Sequence, residues 1–239
     1  MVALVIDDLG NLRHEGLRAI ELPGPLTYAV LPHTPHGPNL ARLAHALDKE
    51  VLVHLPMESV RARPLGAGGL DTGLARSEFD RRVNAALDSV PHAVGASNHM
   101  GSRLTAMGRP MRWLMDLLAA RGNWLFLDSR TTPQTVAEFS ARAAGLRTTR
   151  RDVFLDNDPS HDAIARQFRE LIAVARQQGS AVAIGHPYPQ TLEVLARELP
   201  RLEAQGIRLV PLSAVVAMRG QPPLRVAQSS SPGQAAITR

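Results

Sequence analysis

The sequence contains no cysteine, few aromatic residues and no long apolar segment. Without cysteine, the 239-residue chain has neither disulfide bonds nor thiolate chemistry, so any metal must bind histidine, aspartate, glutamate or asparagine. The net charge is +5, but two tryptophans and two tyrosines leave little to stack on bases, so we expect no nucleic-acid partner. No apolar stretch has the length of a membrane-spanning helix, so we expect no membrane-spanning segment.

Two common catalytic signatures are also missing. No glycine-rich segment joins a strand to a helix, as phosphate-binding loops require, and no Gly-x-Ser-x-Gly sequence marks a serine nucleophile. The glycine-rich stretch at 66–73 lies in a predicted long loop instead, which is typical of lids and binding loops.

Apolar runs and segments with helical spacing alternate from residue 2 to about residue 211. Runs without polar alternation, such as 2–6 and 181–185, are typical of strands buried on both faces of a parallel sheet. The alternation repeats seven or eight times, and 207–211 is the last predicted strand. It predicts an α/β fold in which seven or eight mostly parallel strands close into a distorted (β/α) barrel.

The same pattern predicts the domain organisation. Residues 1–218 form one barrel domain, and 219–239, rich in Gln, Ser, Pro and Gly without periodicity, form a disordered tail. The first predicted strand begins at residue 2, so no export signal is visible in the sequence.

Polar, titratable side chains follow six of the predicted strands. They are Asp7 and Asp8, His54 with Glu58, Asn98 with His99 and Arg103, Asp128, Asp156 with Asp158, and His186. The carboxyl ends of parallel strands meet at one rim of a barrel, so we expect these residues to converge there. Each of these residues, taken alone, could have a purely structural role. Asp128 and Asp156, for example, precede predicted helices that they could cap. Recurrence at six strand ends favours a functional site.

The chemistry of this set is that of a metal-assisted hydrolase. Carboxylates and imidazoles without thiolate suit Zn²⁺, Mn²⁺, Co²⁺ or Fe²⁺. A second carboxylate beside the metal can act as a general base on its water, and a separate histidine can protonate a leaving group.

Six stretches resemble the divergent polysaccharide deacetylases, remote relatives of the NodB-type carbohydrate esterases. They are VIDDLGN at 5–11, EVLVHLPME at 50–58, NHMGSR at 98–103, FLDSRTT at 126–132, RDVFLDND at 151–158 and IGHPYPQTL at 184–192. The resemblance implies a NodB-like barrel and a metal-dependent hydrolase that removes N-acetyl groups from an amino-sugar-containing envelope glycan. It also implies a periplasmic or secreted protein, with the cytoplasm as the alternative because no export signal is visible.

Matched residue by residue, the resemblance implies roles for the acids and histidines. Asp7 corresponds to the general base, Asp8 and His54 to metal ligands, and His186 to the general acid. The second metal-binding histidine of the NodB-type pattern falls on Glu58.

We therefore expect His99, an imidazole at the neighbouring strand end, to complete a Zn²⁺ site, with Glu58 as the alternative ligand. Asp128 and Arg103 are expected to orient the base and the acid. The residues expected to contact the substrate are Asn98, Ser129, Asp156 and Tyr188.

Two other functions stay open at this point. The same residues could hydrolyse another amide, an ester or a phosphoester, because the sequence does not define the pocket shape. Alternatively, the replaced ligand could mark a glycan-binding or scaffold protein without catalysis. Retention of Asp7, Asp8 and His186 favours an enzyme, since binding alone requires neither a base nor an acid.

Overall fold

The computed structural model describes residues 1–220, in which eight parallel strands form one sheet curled into a half-barrel. The strands are β1 (Val2–Leu9), β2 (Thr27–Val30), β3 (Glu50–Met57), β4 (Ala93–Met100), β5 (Leu125–Asp128), β6 (Arg147–Arg150), β7 (Val153–Phe154) and β8 (Ala181–Gly185). Their order across the sheet is β6-β5-β4-β3-β2-β1-β8-β7. This arrangement confirms the predicted distorted barrel of parallel strands.

Helices follow most of the strands, and all but the last cover the outside of the sheet. They are α1 (Arg13–Ile20), α2 (Gly37–Ala46), α3 (Arg76–Ser89), α4 (Gly108–Ala119), α5 (Ala137–Ala143), α6 (His161–Gln178), α7 (Pro189–Glu198) and α8 (Leu212–Gly220), with three short 3₁₀ helices between elements. Within the described residues, none of these helices combines the length and apolar character needed to cross a bilayer.

The strands are buried on both faces because each face packs on a different set of helices. On β1, Leu4 and Ile6 belong to the outer core, which they share with residues of α1 to α7. Ala3 and Val5 face the barrel interior, where they pack with Val215 of α8. The uninterrupted apolar run at the start of the chain reflects this double burial.

Helix α8 fills the interior at the end of the barrel where the strands begin. The backbone N–H of Leu212 donates to Thr27 Oγ1 at 3.1 Å, and that of Ser213 donates to Glu50 Oε2 at 3.1 Å. Thr27 and Glu50 are the first residues of β2 and β3. The carboxyl ends of the strands, which carry the candidate site residues, therefore surround the opposite opening of the barrel.

The structure corrects three details of the sequence interpretation. Residues 207–211, predicted as the last strand, contribute only an isolated bridge between Val2 and Leu209. Strand β6, with the sequence RTTR, was not predicted because it has no apolar run. Arg219 and Gly220, assigned to the tail, belong to α8, and the rest of the predicted tail lies outside the described residues.

Arg219 joins α8 to the opening between the edge strands β6 and β7, which do not pair with each other in the described part of the chain. Its Nη2 lies 2.6 Å from Asp152 Oδ2, Nη1 donates to Thr149 Oγ1 at 2.9 Å, and Nε donates to Ser180 Oγ at 3.0 Å. Both charged side chains are largely buried, with 19% and 14% exposed. This ion pair thus links the two edges of the half-barrel through α8.

We expect Arg219→Ala to lower the free energy of unfolding by about 2–3 kcal/mol, somewhat less than the cost of breaking a fully buried ion pair. Asp152 would lose its cation while remaining largely buried. Urea denaturation followed by circular dichroism measures the loss. The control is Arg197→Ala, whose exposed pair with Glu198 should contribute at most about 0.5 kcal/mol. Equal losses in the two variants would contradict the role of Arg219.

Candidate metal centre

Two adjacent acids, Asp7 and Asp8, reach the same space at the end of β1. Alternate strand residues share a face, so Asp7 continues the interior row of Val5, and Asp8 would point to the helices. However, Asp8 has a φ of 62°, and the pairing of β1 with β2 shifts register after Ile6. A left-handed backbone is uncommon for a residue other than glycine and is frequent at functional sites. This turn directs the second carboxylate toward the interior beside the first.

Three side chains converge around the Asp8 carboxylate. Asp8 Oδ1 lies 3.3 Å from His54 Nε2 and 2.7 Å from His99 Nδ1, and the three candidate ligand atoms lie within 4.8 Å of one another. His54 and His99 face this space from the neighbouring strands β3 and β4. This arrangement brings together the three residues that the sequence analysis selected as ligands.

The atoms of this cluster fit a divalent cation. Asp8 Oδ1 is buried yet has no hydrogen-bond partner of acceptable geometry, despite its short distance to His99. Buried carboxylate oxygens are normally paired, so an orphaned one surrounded by imidazole nitrogens suits a metal ion. Two imidazoles and one carboxylate would leave further coordination positions free for water and substrate, as catalytic zinc sites do.

The two acids differ in their protonation behaviour. Burial raises the pKa of Asp7 above its ordinary value, and the neighbouring imidazoles of His54 and His186 offset part of this effect. For Asp8, burial acts in the same direction, but the close imidazoles of His54 and His99 outweigh it and lower the pKa. Asp8 is therefore the ionised ligand-type carboxylate, and Asp7 is the carboxylate suited to accepting a proton.

On the other side of Asp8, His186 is held by a buried carboxylate. Asp156 Oδ1 lies 2.9 Å from His186 Nδ1, and Asp156 Oδ2 accepts from the His186 backbone N–H at 2.6 Å and from Thr191 Oγ1 at 2.8 Å. His186 Nε2 lies 3.8 Å from Asp8 Oδ2. Burial alone would lower the pKa of His186, but Asp156 and the nearby acids raise it to about 9. His186 is therefore a protonated donor at neutral pH.

In the metal-free protein, we expect His186 to stay protonated up to about pH 9 and Asp156→Asn to lower its pKa toward the ordinary value of about 6.5. Because the folded-state pKa is raised, the interaction stabilises the fold fully below about pH 6.5, and this stability is lost as pH rises through about 9. NMR titration of the imidazole measures the pKa. Asp158→Asn, which removes an exposed acid bonded to Ser160, should leave the His186 pKa unchanged. An unchanged pKa in Asp156→Asn would contradict the assignment.

The structure does not bring Asp128 or Arg103 to the acid or the base through a hydrogen bond or ion pair. Asp128 accepts from Thr135 Oγ1 at 2.9 Å and from the backbone N–H groups of Arg130, just after β5, and Glu138, in the first turn of α5. Arg103 is exposed and pairs with Glu58 at 3.2 Å. The orienting roles of Asp128 and Arg103 therefore stay predictions without a direct contact, and the observed contact that orients His186 comes from Asp156.

Glu58 lies outside the cluster around Asp8. Its carboxylate accepts from the Thr72 backbone N–H at 2.8 Å and pairs with Arg103. These contacts, with Arg103 as a counter-ion, lower the pKa of Glu58 despite the opposing effect of burial. The geometry favours His99 over Glu58 as the third ligand.

Two of the four residues expected to contact the substrate use their side chains in hydrogen bonds to other protein groups. The Asn98 amide donates to Met100 O at 2.8 Å and accepts from the Ser129 N–H at 2.9 Å, so it braces the ends of β4 and β5. The Asp156 side chain is fully buried beneath His186. Both side chains thus support neighbouring parts of the protein, and their contact with a substrate stays a prediction.

The other two remain candidates for substrate contact. Ser129 has a buried hydroxyl without a partner. Tyr188 is 44% exposed and stacks beside His186 with ring centroids 5.3 Å apart, which leaves its outer face open. An exposed aromatic ring next to the proton donor is a suitable surface for the face of a sugar ring.

Sequence reasoning missed Ser97 and Arg151. Ser97 Oγ lies 2.7 Å from His54 Nδ1, behind the candidate ligand. Arg151 donates to Ser129 O and Arg130 O, each at 2.8 Å, and lies close enough to Asp7 for their charges to interact. Both residues lie within or next to stretches that carried the family resemblance, but neither has the ligand-type or acid-base character that drew attention to the others.

Comparison with known proteins agrees with this geometry. The model of the family described as "Divergent polysaccharide deacetylase" matches residues 4–216. The chain belongs to the divergent polysaccharide deacetylases. It is 38% identical to YibQ of Escherichia coli strain K12 over 215 residues, which cover 90% of this chain and 67% of YibQ.

Solved structures share the fold of this divergent polysaccharide deacetylase. The protein ATU2773 of Agrobacterium tumefaciens C58 superposes with a TM-score of 0.85 at 23% identity, covering 90% of this chain and 88% of that one. A mutant of BA3943 from Bacillus anthracis, described as a CE4 family pseudoenzyme with restored enzymatic activity, superposes with a TM-score of 0.52 at 16% identity, covering 90% and 67%. The predicted NodB-like architecture is confirmed.

Proposed function

We propose that this protein is a metal-dependent hydrolase that removes N-acetyl groups from an amino-sugar-containing glycan of the cell envelope. One observation carries the proposal, namely that a candidate metal centre lies between a buried carboxylate and a protonated imidazole. The centre consists of Asp8, His54 and His99, with Asp7 and His186 beside it. A metal, a base and an acid together can activate water, polarise the carbonyl and protonate the leaving amine in amide hydrolysis.

The residues divide the work as follows. A divalent metal held by Asp8, His54 and His99, for which Zn²⁺ is our choice, would polarise the acyl carbonyl and acidify the attacking water. Asp7 accepts a proton from that water, since its raised pKa suits a general base. His186 donates the proton on Nε2 to the departing amine, while its contact with Asp156 keeps Nδ1 engaged.

The substrate class and the location are part of the proposal. Family membership supports a polysaccharide, and the open face of Tyr188 beside His186 supports a sugar ring next to the proton donor. We propose a periplasmic or secreted protein, where envelope glycans are accessible.

Acetate release from chitooligosaccharides and from peptidoglycan fragments tests the function directly. Protein stripped with a chelator, then reloaded with Zn²⁺, should lose and regain activity. Asp8→Asn should neither bind the metal nor release acetate, and Asp158→Asn, with an exposed acid near the same rim, should behave as the wild type. Absence of metal-dependent release from both substrates would contradict the deacetylase proposal. Parallel assays with O-acetyl esters and phosphoesters distinguish a hydrolase of another bond.

A glycan-binding protein without catalysis is the second candidate. Its support is Glu58, which stands where the NodB-type pattern has a metal-binding histidine and which pairs with Arg103 instead. Under this alternative, the wild type binds chitooligosaccharides in isothermal titration calorimetry but releases no acetate, even when loaded with metal.

A further inference from the structure

Behind the candidate metal centre, Ser97 contacts the ring nitrogen of His54 that faces away from the acids. His54 and Ser97 are paired neighbours on β3 and β4, and Ser97 Oγ lies 2.7 Å from His54 Nδ1. Both residues are buried, with 1% and 0% exposed. The Nδ1 nitrogen is therefore shielded from bulk solvent, and the Ser97 hydroxyl is the group placed to satisfy it.

The other ring nitrogen of His54 faces two groups that only accept hydrogen bonds. Its Nε2 lies 3.4 Å from Asp7 Oδ2 and 3.3 Å from Asp8 Oδ1. Without metal, a neutral ring is therefore best satisfied with its proton on Nε2, and Nδ1 then accepts from the Ser97 hydroxyl. With metal, Nε2 must offer its lone pair, so the proton must lie on Nδ1, which donates to Ser97 Oγ.

We propose that Ser97 is a positioning residue that satisfies both tautomers of His54 and so allows the ring to change tautomer when a metal binds. A hydroxyl both donates and accepts, whereas a carboxylate only accepts and would fix the proton on Nδ1. The same site contains that contrast, because His186 Nδ1 contacts the carboxylate of Asp156. The partner of His54, the proposed ligand, can therefore bond to either tautomer, whereas the partner of His186, the proposed acid, bonds only to a ring with its proton on Nδ1. This inference rests on the proposed metal site.

Nitrogen NMR of isotope-labelled wild-type protein tests the tautomer change without any substitution. The metal-free ring should carry its proton on Nε2, which faces the two carboxylates. Addition of Zn²⁺ should move the proton to Nδ1. The same tautomer in both states, or a doubly protonated ring in the metal-free protein, would overturn the proposal.

Ser97→Ala tests the energetic consequence. The loss of its hydroxyl leaves Nδ1 without a partner in a dry site, so we expect Zn²⁺ affinity to fall on the order of 10–100-fold, as for other groups behind metal ligands. Isothermal titration calorimetry measures the affinity, and Ser97→Thr, which keeps the hydroxyl, should recover most of it. The matched control is Ser140→Ala, a buried serine on α5 outside the site.

The outcomes separate this proposal from the function on which it rests. Wild-type affinity in Ser97→Ala would overturn the role of Ser97 and leave the metal site intact. A wild type that binds no metal would contradict the proposed function, and the metal-free NMR spectrum would still decide whether Ser97 donates to His54. If Ser97→Ala does not fold, the two wild-type spectra decide the question by themselves.

Discussion

Replacing His99 with alanine is expected to weaken Zn²⁺ binding by more than the roughly 10–100-fold typical for groups behind a metal ligand. His99 Nδ1 lies 2.7 Å from the orphaned Asp8 Oδ1, so its lone pair points into the same space as the carboxylate. Without it, His54 and Asp8 alone remain, and two protein ligands fall short of the three that catalytic zinc sites use. Titration calorimetry against a competing chelator measures the change.

Glu58→Gln is the matched control, because Glu58 occupies the position of the second family histidine. Its carboxylate is already engaged by Thr72 and Arg103. We therefore expect Glu58→Gln to bind Zn²⁺ nearly as the wild type does. The reverse result, with binding lost in Glu58→Gln and kept in His99→Ala, would show that a carboxylate has replaced the second family histidine at its original spacing.

The sequence predicted the ligand cluster because two simple rules hold at these strand ends. Parallel strands bring their carboxyl ends to one rim, and an apolar run that stops at a titratable residue marks such an end. The period of two then decides which side chains face the interior. His54 follows interior Leu52 by two residues, and Asp7 follows Val5 in the same way.

The same period explains why Asp128 and Asn98 make other contacts than those predicted. Asp128 directly follows interior Leu127, so its carboxylate turns outward to the start of α5. Asn98 lies between Ser97 and His99, which contact the site, and its amide therefore braces the backbone instead. The alternation of inward- and outward-facing residues can be read from the sequence, but it is overlooked when candidates are chosen by residue type alone. Asp8 breaks the rule, since a φ of 62° returns its side chain to the interior.

Some elements of the fold depend on tertiary context that no local pattern carries. Strand β6 is short and polar, and it forms because β5 offers it a free edge. Residues 207–211 have strand character but remain largely unpaired, and α8 follows at once and fills the interior beside β1. The packing available at a position thus has more influence on whether a strand forms than the intrinsic strand propensity of its residues.

Replacing Asp7 with asparagine is expected to lower kcat for acetate release about 10²–10⁴-fold, the usual contribution of a general base. Asparagine keeps the shape of the side chain but accepts no proton from the attacking water. Asp7 is buried, with an unpaired Oδ1, and lies outside the three-residue cluster proposed to hold the metal. Zn²⁺ affinity should therefore stay within about tenfold of the wild type, because charge is lost next to the site but no ligand is removed.

Measuring kcat and Zn²⁺ affinity on the same preparations separates the roles of the two adjacent acids. Asp8→Asn should lose the metal and, with it, the activity, whereas Asp7→Asn should lose the activity alone. Severe loss of metal in Asp7→Asn would identify Asp7 as a ligand. Wild-type turnover in Asp7→Asn would place the base elsewhere. The contrast between the two variants follows from the backbone at Asp8, which gives two consecutive side chains access to one site. His54 lies close to both acids, but only Asp8 forms a cluster with both His54 and His99.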